Sequence, residues 1–215
     1  MNNKTGVVCS LALFALGIVF SIYPMETFFA ENGPFEMAQV LVMAGSTLIW
    51  ANLALLSKRD ERRSEPVHYT FAVFFAVLSL VVAARETSFL RIYGAGADTV
   101  NGLKLMTVLL CLPFLGGIGL VWLKRPRLYF RRALRFMASP TFRWCLVSLA
   151  FVVGGDIFEK KWLPIDSSLV WEETLELMGY FAMLSAGWIT ITGLRQTDVA
   201  AHKDTVASAH SAKEA

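Results

Sequence analysis

This chain has few residues that bind soft metals. Only three cysteines and three histidines occur in 215 residues. Cys9, Cys111 and Cys145 each fall inside an apolar run, with no CxxC spacing. They read as small buried hydrophobes, not as a disulfide framework or a zinc site. His68, His202 and His210 lie outside the apolar runs. Haem, which needs axial ligands in a span, is not expected, nor is a histidine-bound metal. P-loop, dinucleotide and GxSxG signatures are missing too, so no nucleotide cofactor is expected. Charged residues make up 17% of the chain, against about 25% in ordinary soluble domains.

Apolar length is what the chain has in excess. It is 55% hydrophobic with a mean hydropathy of +0.53. The apolar residues collect into six runs at about 6–23, 34–56, 69–84, 103–123, 141–157 and 173–194. Each is about long enough to span a bilayer, with 69–84 and 141–157 close to the lower limit of ~17 residues. The expected fold is all-α: a polytopic integral membrane protein, one bundle of six transmembrane helices over residues 1–195. The first run follows Lys4 and lacks a small-residue cleavage site after Tyr23, so an uncleaved first helix is expected.

Lys and Arg set the orientation. Fifteen of the 20 basic residues flank one side, including Lys58, Arg59, Arg62, Arg63 and the series from Lys124 to Arg143. Only Arg85, Arg91, Lys104, Lys160 and Lys161 flank the other. The basic side is expected to be cytoplasmic, with both termini inside. Trp50, Trp122, Trp144 and Trp188 near one face, and Trp162 and Trp171 near the other, fit aromatic belts. Residues 127–137 alternate Tyr129, Phe130, Ala133, Leu134 and Met137 with four arginines. That pattern predicts an interfacial amphipathic helix against anionic lipid headgroups. The basic clusters flank membrane spans, so nucleic acid is not an expected partner. The tail, 196–215, is expected to be frayed or flexible.

In this topology eight acids share the outer side: Glu31, Glu36, Glu86, Asp156, Glu159, Glu172, Glu173 and Glu176. A carboxylate beside a bilayer is costly unless paired, solvated or bound to a cation. Glu36, Glu172 and Glu173 suit the positive end of a helix start. Glu86 and Asp156 sit at helix C-termini, which disfavour anions. Glu176 lies a turn deeper than capping needs, and it faces Glu172 and Glu173 at i+4 and i+3, where like charges repel. Glu36, Glu86, Asp156, Glu173 and Glu176 are the candidate ligands of a divalent cation (Mg, Mn or Ca) or carriers of a proton. Arg85 and Arg91 are the candidate tuning charges, and Gln39 is a candidate hydrogen-bond partner of Glu36. Pro113 with Gly116, Gly117 and Gly119 predicts close helix packing or a kink. Gly154 and Gly155 predict either a close backbone approach to Asp156 or simple helix packing.

The series Glu31-Asn32-Gly33-Pro34-Phe35-Glu36, then Arg85-Glu86 with Phe89 and Arg91, then Glu172-Glu173 with Glu176, resembles a pattern in uncharacterised bacterial multi-pass inner-membrane proteins. The resemblance implies the bacterial inner membrane and no particular activity. The helix number and acids are also similar to those of ceramidase-like membrane hydrolases, but the zinc-binding histidines of that type are missing here. Three readings stay open. The leading one is a membrane protein that binds or conducts a cation, metal or proton, at its outer end. The second is an enzyme acting on a lipid or lipid-linked substrate with metal-assisted carboxylates. The third is a non-catalytic assembly subunit whose acids and bases neutralise one another, within a homo-oligomer or beside a membrane partner.

Overall fold

A computed structural model describes residues 34–59, 67–87, 90, 94–160, 162 and 168–214, the last twenty by backbone alone. Six α-helices and no strand occur among them: α1 (Pro34–Arg59), α2 (Tyr69–Arg85), α3 (Ala97–Lys124), α4 (Pro126–Met137), α5 (Pro140–Glu159) and α6 (Ser168–Glu214). Four helices are long and apolar enough to cross a membrane: Phe35–Lys58, Ala97–Lys124, Pro140–Glu159 and Ser168–Leu194. A fifth, Tyr69–Arg85, is shorter. The described residues are therefore all-helical in their regular structure, and the apolar helices give the chain the character of a membrane protein. The first expected span, 6–23, lies outside the described residues.

Helix starts follow the local chemistry. Pro34 opens α1 with Glu36 in its first turn. At the start of α5, Ser139 caps by accepting the amide of Phe142 and Pro140 follows, a pre-organised start. The start of α2 is capped by His68, whose Nδ1 accepts the amide of Thr70. The helix α3 begins six residues before the expected run and remains helical through Pro113. The last helix runs on to Glu214, through the stretch expected to fray. Ala200, Ala201, Ala207, Ala209 and Ala212 recur there without proline, and alanine is the strongest helix former.

Packing is uneven. α6 lies against α1 and α5, α2 against α1 and α3, and α4 against α3 and α5. In its apolar stretch 61% of α6 is buried, against 6% of α3. So α6 is central and α3 peripheral. Trp50 is fully buried between α1 and α6, its Nε1 donating to the carbonyl of Met183 at 3.3 Å. It is a core residue and not part of an aromatic belt. Buried apolar surface leaves a Trp N–H in need of an acceptor, and the α6 backbone supplies it.

Glycines set where helices come closest. A Cβ on Gly155 of α5 would meet Glu176 Cγ at 2.9 Å and the Glu172 carbonyl at 3.2 Å. One on Gly179 of α6 would meet Val152 Cγ2 at 2.7 Å and the Ser148 carbonyl at 3.0 Å. Small residues on both partners let the α5 and α6 backbones approach. Among the described residues, Gly116, Gly117 and Gly119 have nothing within 4 Å of such a Cβ. Hydroxyls add polar links between helices: Ser46 with Ser79 at 3.0 Å, and Thr141 with Thr190 at 2.7 Å. Ser46→Ala should cost about 0.6 kcal/mol, the average for such bonds between membrane helices. A thermal denaturation series in detergent checks it.

α4 is amphipathic in two directions. Tyr129 and Phe136 are buried, while Phe130, Leu134 and Met137 form an exposed apolar stripe at i, i+4 and i+7. Phe136 stacks on Phe71 at 5.2 Å and also meets Phe75 and Phe142. It joins α2 to α5. Arg132 reaches back to His68, Nη1 to Nε2, at 2.7 Å, so the α2 cap and α4 hold each other.

Candidate functional site

The N-terminal ends of α1 and α6 meet the C-terminal end of α2. Arg85 in the last turn of α2 is the hub. Its Nη2 donates to Glu176 Oε1 at 2.8 Å. Its Nε lies 3.4 Å from Glu86 Oε1, and Nη2 lies 3.9 Å from Glu159 Oε2. The arginine side chain is 49% exposed, whereas those of Glu86 and Glu176 are 9% and 4% exposed. One half-wet guanidinium therefore compensates two nearly dry carboxylates.

Glu86 has a second donor. The Tyr180 hydroxyl gives it a hydrogen bond of 2.9 Å from α6. Tyr180 is one helical turn beyond Glu176, so both point to the α2 end. Glu86 lies just past α2, where its own amide closes the helix onto Val82. Burial pushes its carboxyl above the usual carboxylate range, while Arg85 and the Tyr180 hydroxyl pull it down.

Glu173 is held differently. Its Oε2 accepts from Gln39 Nε2 at 2.7 Å, and the same amide lies 3.3 Å from its backbone carbonyl. Gln39 thus links α1 to α6, rather than bonding Glu36 on its own helix as expected. Gln39 is fully buried, and its Oε1 has no hydrogen-bond partner in the described structure. Thr174 Oγ1, also buried, has none either. Glu36, Glu86, Glu172 and Glu176 all stand within electrostatic reach of Glu173.

The candidate residues therefore divide. Glu36, Glu86, Glu173 and Glu176 converge from three helices onto one end. Asp156 does not join them: it pairs with Lys160 one turn on, and both side chains are about half exposed. Its position at a helix C-terminus is balanced by that ammonium. The glycine beside it, Gly155, makes room for Glu176 and the Glu172 carbonyl of α6. Arg91 and Glu31 lie outside the described residues. Among the described residues no group of three or more His, Cys, Asp or Glu is arranged to hold a metal ion. Tyr180 was missed by sequence reasoning, although its spacing of i+4 from Glu176 was a usable signal. No family model, no curated protein and no solved structure matches this chain.

Proposed function

We propose that this chain is a six-span membrane protein, with both termini on the cytoplasmic side, that binds protons on a carboxylate cluster at its outer face. The observation that carries this reading is the setting of Glu173. Its hydrogen bond comes from a neutral amide, Gln39, while four other carboxylates stand within electrostatic reach. A carboxylate beside a bilayer is costly unless it is paired, solvated or bound to a cation, and among the described residues Glu173 accepts from a neutral amide and not from a cation.

Arg85 gives the cluster two tiers. It neutralises Glu176 and Glu86 by direct contact, which leaves Glu36 and Glu173, and Glu173, held by the neutral Gln39 amide, is the acid to which we assign proton exchange. The basic flanks of 58–63 and 124–143 support the orientation. The cluster then faces the outside, at the depth of the headgroups, and the proton is the cation of the leading reading.

Difference titration tests it. Wild type in detergent should take up about one more proton per chain than Glu173→Gln between alkaline and mildly acid pH. Equal uptake by the two proteins would contradict the assignment to Glu173.

A further inference from the structure

Among the described residues, a gap separates α2 from α5. These helices make no direct backbone approach and are joined through α1, α6 and Phe136 of α4. The gap is an apolar groove of about 420 Å³, partly open along its length. Leu78 and Val82 of α2 form one wall, Leu149 and Val152 of α5 the other, and Met43 and Met183 the floor. Arg85 and Tyr180 stand at one end. Phe136 closes the other, between Phe75 and Phe142.

Length and charge say what fits. From Phe74 to Arg85 the groove follows α2 for roughly 16 Å at the helical rise. That is about half of a ~30 Å hydrocarbon core, the depth of one leaflet. Arg85, half exposed, sits at the headgroup end with Glu159 at 3.9 Å, itself half exposed. Nε and Nη2 of Arg85 already face Glu86, Glu176 and Glu159, so Nη1 is the part of the guanidinium that can donate to a phosphate, next to Glu159 as an acceptor for ammonium. An anion-only head would meet Glu159, Glu86 and Glu176 around that guanidinium, and a cation-only head would meet Arg85 itself.

We propose that the α2–α5 groove binds one acyl chain of a membrane phospholipid with a zwitterionic head, its phosphate on Arg85 and its ammonium on Glu159. The assignment to the outer leaflet rests on the topology proposed above, but the binding itself needs no proton at Glu173. The site recruits a specific lipid to the edge of the carboxylate cluster.

The test is lipid retention by the full-length protein. Native mass spectrometry of protein titrated with phosphatidylethanolamine should show about one tightly held lipid per chain. Phosphatidylglycerol should bind at least tenfold more weakly. Leu149→Trp, which fills the groove, should lower phosphatidylethanolamine retention at least tenfold. Leu112→Trp, on the exposed face of α3, should leave it unchanged. Equal retention by wild type and Leu149→Trp, or no headgroup preference, would overturn the proposal. A photo-crosslinking residue at Leu78 gives a reading that does not depend on the tryptophan variant. An adduct of lipid mass supports the site. A crosslink to residues 6–23, or to a second copy of the chain, shows the groove filled by protein and overturns it. Infrared and titration signals of the carboxyls are independent of this outcome, so failure here leaves the proton reading standing.

Discussion

Arg85→Met should lower the stability of the protein by about 3 kcal/mol. Removing one partner of a buried ion pair typically costs about 3–5 kcal/mol, because the remaining charge is left uncompensated. Glu176 and Glu86 are the charges left behind, and both are nearly dry. The lower end of the range applies because the arginine is itself half exposed, so water weakens the attraction already. Two further results separate this cause from lost packing. Adding Glu176→Gln to Arg85→Met should recover a good part of the loss, because the coupling between contacting residues is removed with the charge. The deficit should also be larger at neutral than at acid pH, since protons can stand in for the missing guanidinium. Thermal unfolding in detergent reads all three. A pH-independent loss that Glu176→Gln does not relieve would assign Arg85 to packing alone.

Gly179→Leu should be as damaging, by about 3 kcal/mol or more, for a steric reason. Even the first added carbon would lie 3.0 Å from the Ser148 carbonyl and 3.3 Å from the Val152 amide, both backbone atoms that cannot rotate away. The α5 and α6 backbones must then separate. Overpacking of a close contact costs about 1–3 kcal/mol, and occasionally more when backbone moves. The separation would also pull Gly155 off Glu176 and so disturb the ion pair with Arg85. Gly117→Leu is the matched control. No described residue lies within 4 Å of its Cβ position, and the change should stay within about 0.5 kcal/mol. Melting temperature and yield of monodisperse protein compare the two. Equal effects at both positions would mean that glycine content, and not the α5–α6 contact, is what matters.

The parts of this fold set by long-range composition were legible in the sequence. Apolar run length anticipated α1, α2 and α5 to within a few residues, because the spans depend on hydrophobicity summed over many positions. The arginine spacing anticipated α4 in the same way. Polar detail was less legible. Gln39 was expected to serve Glu36, its neighbour on α1, yet it bonds Glu173, 134 positions away. Sequence spacing shows which residues share a helix face. It does not show which other helix that face meets. Asp156 looked equivalent to Glu176 by depth, but the turn after it carries Lys160, and the two pair locally. Trp50 likewise stood near a helix end and was expected in a belt. Helix packing around it, with Ile49 and Trp50 against Gly187 of α6, turned that end into core.

Glu36, Glu86, Glu173 and Glu176 do share one end of the helix set, and Arg85 ties two of them. What distinguishes the proton reading from mutual neutralisation is Glu173, whose donor is uncharged. The infrared spectrum of the purified protein tests this most directly. At neutral pH it should contain the carbonyl band of a protonated carboxylic acid that fades on alkaline titration and is absent from Glu173→Gln. A spectrum without that band at neutral pH, or one in which Glu173→Gln leaves it intact, would contradict the account.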